Sequence, residues 1–105
     1  MQSIRKDHIH TRSDRKLPVE LAVRYWTARE VGAGRTVEMG AWNVAFTTST
    51  PLAVGQKVQV SIDWPVLLNG TTPLQLIASG FVVRAGAVAE LHIEQRPEFR
   101  TRRTQ

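Results

Sequence analysis

A period of two in the apolar residues constrains this chain most. From Pro18 to Trp26, Val19, Leu21, Val23 and Tyr25 alternate with Glu20, Ala22, Arg24 and Trp26. That alternation puts two rows on opposite faces of a half-buried strand. Lys57–Asp63 repeats it with Val58, Val60 and Ile62. Leu74–Arg84 and Ala87–Ile93 read as two further strands, joined as a hairpin at Ala85-Gly86. Arg35–Phe46 is extended but broken at Gly40-Ala41-Trp42-Asn43, where a bulge or turn is expected because glycine and asparagine tolerate positive φ. Thr27–Gly34 reads as a loop, Thr47–Gly55 as a turn-rich segment around Pro51, and Trp64–Thr72 as a wide connection. Pro97 is expected to end the strand region, with Glu98–Arg103 forming one or two helical turns. Five to six short strands with little helix imply a small antiparallel barrel or sandwich.

At 105 residues and 42% hydrophobic content, the chain has room for one ordinary globular domain. It has no cysteine, which excludes a disulfide scaffold, a thiol nucleophile and thiolate metal sites, and fits a reducing compartment. No apolar run approaches the ~20 residues that cross a bilayer, and Met1–Lys16 is too polar for a signal peptide. A cytoplasmic address without membrane insertion is therefore expected. The net charge of +5 is concentrated at the ends: residues 1–16 and 96–105 carry +3 each, and the body between them carries −1. Basic ends of this kind engage phosphates or act as solvated tails. The division expected is a flexible basic linker over 1–16, a barrel over 17–97 and a short helix or basic tail over 98–105.

The sequence holds no nucleophile–base pair, paired carboxylates or glycine-rich phosphate loop, so an enzyme is not expected. His8 and His10 lack a third metal ligand nearby, and neither a metal nor a cofactor is expected. His92, between Leu91 and Ile93, reads as an exposed strand position.

In order, the chain presents a basic linker, a strand opening on Pro18-Val19-Glu20-Leu21, a turn-interrupted second strand and a Pro51–Gly55 turn. A strand ending in Ile62-Asp63-Trp64-Pro65 and a Glu98-Phe99-Arg100-Thr101-Arg102 tail follow. This order of features resembles a PilZ domain, a bacterial module known as a receptor for cyclic di-GMP. The resemblance runs from about Arg12 to Arg102. It implies a six-stranded antiparallel β-barrel with a C-terminal helix, and a ligand site of two parts: an RxxxR motif in the linker and a (D/N)xSxxG motif on the following strands.

The first part falls on Arg12-Ser13-Asp14-Arg15-Lys16. Arg12 matches the first arginine; Lys16 stands at the second, with Arg15 beside it as a substitute. Lysine supplies charge without the planar fork that grips phosphate bidentately. The second part falls on Glu38-Met39-Gly40-Ala41-Trp42-Asn43. Glu38 stands for Asp or Asn, Gly40 for Ser and Asn43 for Gly. Each lost hydrogen bond to a charged partner is worth ~1.5–3 kcal/mol, about tenfold in affinity per ~1.4 kcal/mol. The resemblance thus implies a cyclic di-GMP signalling module whose binding is weak or lost through Arg12, Arg15, Lys16, Glu38, Gly40 and Asn43. The alternative is a nucleotide-free interaction adaptor of the pilus or motility type with a protein partner. A basic nucleic-acid binder ranks third.

Trp42, inside the second motif, either stacks on a base or plugs the same surface, and plugging or packing is the favoured role. Trp64 is expected to cap the core. Trp26, on the face opposite the apolar stripe, suits an interface if exposed.

Overall fold

The computed structural model describes residues 16–101. Eight strands lie in chain order: β1 (Leu17–Pro18), β2 (Ala22–Trp26), β3 (Val31–Met39), β4 (Asn43–Thr47), β5 (Lys57–Leu68), β6 (Thr72–Arg84), β7 (Val88–Ile93) and β8 (Glu98–Thr101). All pairings are antiparallel. The order β3-β2-β5-β6-β7-β4, closed by β4 on β3, makes a six-stranded barrel, as the sequence suggested. β1 extends the sheet beside β3, and β8 lies on the half of β6 that β7 leaves open. Closure removes the long free edges that would otherwise template aggregation.

The alternating rows converge inside. Val23, Tyr25, Val44, Phe46, Val58, Val60, Ile62, Val82 and Leu91 are all 2% exposed or less. Trp64 packs against this cluster from its margin, and its ring meets Phe99 edge-on at 5.2 Å. His92 is exposed, as its alternation implied.

Four expectations fail for identifiable physical reasons. Glu98–Thr101 is a strand rather than a helical turn: the main-chain groups of Leu74–Ile77 need partners, and Phe99 gains the Trp64 ring. One helical turn costs more to nucleate than its single hydrogen bond returns. Strand β8 thus carries the sheet beyond Pro97, while residues 102–105 lie outside the described residues. The Trp64–Thr72 connection is mostly strand. Asn69 (φ 55°) and Gly70 (φ 75°) make a two-residue turn with Thr71 N–H donating to Leu68 O at 3.1 Å, which lets β5 and β6 run on as one long hairpin. Pro65 is tolerated there because β2 covers β5 only as far as Ile62.

The loop expected over Thr27–Gly34 shrinks to a turn, closed by Thr27 N–H to Glu30 O at 2.9 Å, because Gly32 and Gly34 belong to β3. Finally, the strand expected from Pro18 to Trp26 is interrupted at Val19–Leu21. The Thr36 hydroxyl takes the place of a ladder partner there, accepting from Leu21 N–H (2.8 Å) and donating to Val19 O (2.6 Å). Among the described residues no helix is long and apolar enough to cross a membrane.

Candidate functional site

On β7, Ala89, Leu91 and Ile93 fill the core, so alternation turns Glu90 to the outer face of the barrel. It lies in register with Ala45 of β4, which is in register with Glu38 of β3. Although it faces outward, the Glu90 side chain is only 10% exposed. Among the described residues, three hold it. Lys16 Nζ donates to Oε2 at 2.9 Å, Asn43 Nδ2 donates to the same oxygen at 3.1 Å, and the Arg84 guanidinium donates to Oε1. Asn43 reaches it because the turn before β4 closes with Gly40 N–H donating to Asn43 O at 2.8 Å. The small side chain of Ala45 leaves the carboxylate room.

The Lys16 hydrogen bond holds the Glu90 carboxyl below its ordinary pKa of 4.5. Burial pushes the other way and is outweighed by the charges of Lys16 and Arg84 and the Asn43 amide. A lowered folded-state pKa means the carboxylate stabilises the fold above about pH 4.5, and that this contribution is lost as pH falls through the depressed value. Glu90→Gln is therefore expected to flatten the acid limb of the stability–pH curve below pH 4.5, measured by urea unfolding from pH 7 downward. An unchanged limb would contradict the cluster's charge state.

The structure places the sequence-predicted residues unevenly. Lys16 and Asn43, one from each candidate motif, meet at a single carboxylate. Glu38 is half-buried in the same row, about 10 Å away at two strand spacings, and makes no ion pair among the described residues. Gly40 is half-buried in the turn. Trp42 is 46% exposed, so it does not pack in the core: its main-chain carbonyl is held by Ile93 N–H at 2.8 Å, and the turn carries its ring outside. Arg12, Arg15, His8 and His10 lie outside the described residues. Sequence reasoning missed Glu90 and Arg84. The signal available was a lone carboxylate between Ala89 and Leu91 in a strand read as mostly apolar.

Chemically, two cations and an amide converge on an internal anion, a donor set of the kind that also grips phosphate. Among the described residues no group of three or more His, Asp or Glu is placed to hold a metal ion. Comparison with protein-family models, curated proteins and solved structures finds no match to this chain.

Proposed function

We propose that this chain is a non-enzymatic PilZ-like signalling barrel that has lost useful affinity for cyclic di-GMP and acts through contacts with a protein partner in the cytoplasm. The observation that supports it is the Glu90 carboxylate seated among Lys16, Arg84 and Asn43. The closed six-stranded barrel and the meeting of Lys16 with Asn43 agree with the two-part site that the resemblance implies. A ligand phosphate placed there faces Glu90, with Glu38 in the same row, and must break contacts that are already satisfied. Like charges at such spacing in a partly buried site are costly.

The test is calorimetric titration of cyclic di-GMP into the intact protein and into Glu90→Gln, which keeps the shape and removes the charge. The wild type is expected to give no heat up to millimolar ligand. Glu90→Gln frees Lys16 and Arg84 and is expected to gain at least about tenfold in affinity, the worth of ~1.4 kcal/mol. Micromolar binding by the wild type, abolished by Arg12→Ala, would overturn the reading and make the chain a receptor.

A further inference from the structure

A second polar surface lies on the other side of the barrel, over β2, β5, β6 and β8. Val23 and Tyr25, Val60 and Ile62, and Leu76 and Ala78 point into the core. Their neighbours Arg24 and Trp26, Gln59 and Ser61, and Gln75 therefore point out, and together with Arg100 of β8 they line a groove of about 680 Å³. That falls within the ~300–1,000 Å³ of ligand clefts. β5 and β6 form its floor, and β2 and β8 its walls.

Two observations mark this groove as a place for a ligand. Ser61 is 2% exposed and its hydroxyl has no hydrogen-bond partner among the described residues, a cost that buried polar groups rarely carry without a reason. Arg24, directly across from Ser61 in the β2–β5 register, is exposed and makes no ion pair among the described residues. Trp26 stands two residues along the same face, half-buried, with its neighbour across the sheet being Gln59.

These groups discriminate between ligand classes. An extended peptide docks on a sheet by pairing with free main-chain groups. Among the described residues the floor offers none: β5 is paired by β2 and β6, and β6 by β5 and β8, so the one open edge beside the groove is the outer edge of β8, away from Trp26 and the glutamines. Recognition on the floor therefore runs through side chains. A tryptophan ring offers a stacking platform, glutamine amides offer both a donor and an acceptor to a base edge, and guanidinium groups grip phosphate. We infer that the groove binds a nucleotide unit, with its base on Trp26 and against the Gln59 and Gln75 amides and its phosphates on Arg24 and Arg100. The Glu90 cluster takes no part in it.

The source of that unit, a free nucleotide or a single strand, is separated by experiment. A fluorescein-labelled oligo(U) of about ten nucleotides, within the usual single-strand site sizes, is titrated with the full chain by anisotropy, and UMP is then added as competitor. Arg24→Glu is expected to weaken binding about tenfold or more. It is also expected to make the salt dependence shallower, by about 0.7 in logarithmic slope for each phosphate no longer neutralised. Arg35→Glu, the same charge change outside the groove, serves as the control and is expected to cost less than about threefold. Arg100→Gln replaces Arg24→Glu should the latter lose its circular dichroism spectrum. Displacement by millimolar UMP assigns the groove to free nucleotides; oligo(U) binding that UMP leaves intact assigns it to single strands. Absence of binding at low salt, or equal losses in Arg24→Glu and Arg35→Glu, overturns the inference.

Discussion

Gly80→Ala is expected to abolish the folded barrel. Gly80 is buried on the inner side of β6 between Ala78 and Val82, paired with Val58 of β5 on one side and Ile93 of β7 on the other. A Cβ at this position would fall on the main-chain carbonyl oxygen of His92. The obstacle is backbone held in a ladder, so no rotamer change relieves it, and strands on both sides keep β6 from backing away. The cost should exceed ~4 kcal/mol, the range reserved for gross structural conflict. Set against a typical total stability of ~5–15 kcal/mol, that leaves little or nothing. Gly34→Ala meets the same obstacle at the Thr47 carbonyl. Gly55→Ala supplies the contrast: its φ of 89° strains an alanine, but none of the described residues crowds the Cβ, and the cost should be about 1 kcal/mol. Urea unfolding followed by circular dichroism reads all three. A cooperative Gly80→Ala transition within about 1 kcal/mol of the wild type would mean that β6 and β7 do not approach as closely as described.

These glycines also show where the sequence misleads. Val58, Val60 and Ile62 declare their strand because a period of two survives any tertiary context that buries one face. Leu91 and Ile93 do likewise. Gly32 and Gly34 carry no side chain and so no period, and in one dimension they are indistinguishable from turn residues. Their purpose is visible only in space: the Tyr25 ring lies across Gly32, and the Thr47 carbonyl crowds Gly34. Asn69-Gly70 is a hairpin signal by its chemistry, yet the Pro65 beside it argues for a loop. The strand runs through because, among the described residues, β2 pairs with β5 only as far as Ile62 and so asks no main-chain donor of Pro65. Glu98–Thr101 becomes a strand because another strand leaves an edge open, which no local propensity encodes. The site divides in the same way. Asn43 and Lys16 are legible from the resemblance, whereas Glu90 alternates like any outward residue. Its burial comes from Lys16, Asn43 and Arg84, which are remote in sequence or on another strand.

Tyr25→Phe should lower stability by about 2 kcal/mol, although it removes one atom and no apolar packing. Tyr25 is fully buried, and its ring packs on Phe46 with centroids 5.7 Å apart, which phenylalanine keeps. Its oxygen accepts from the N–H groups of both Ser49 and Thr50 at 3.1 Å and lies 3.2 and 3.1 Å from their hydroxyls. Burial alone would raise the phenol pKa, but these loop hydrogen bonds outweigh it and hold the group below 10.0, as an oxygen used mainly as an acceptor should be. The same loop residues reach onward: Ser49 Oγ accepts from Ala33 N–H at 3.2 Å and Thr50 Oγ1 donates to Glu30 at 3.1 Å. One phenolic oxygen therefore ties the loop after β4 to the β2–β3 hairpin across the barrel end. Its removal strands two main-chain donors, each worth ~1–3 kcal/mol when left without an acceptor, and water reaching this partly exposed loop returns some of that. The urea midpoint should fall with an unchanged slope, and the Ser49 and Thr50 amides should exchange faster than those of β5. A loss under about 0.5 kcal/mol, with exchange at Ser49 and Thr50 unaltered, would show that the loop is held by its own turns and that the phenol oxygen is incidental.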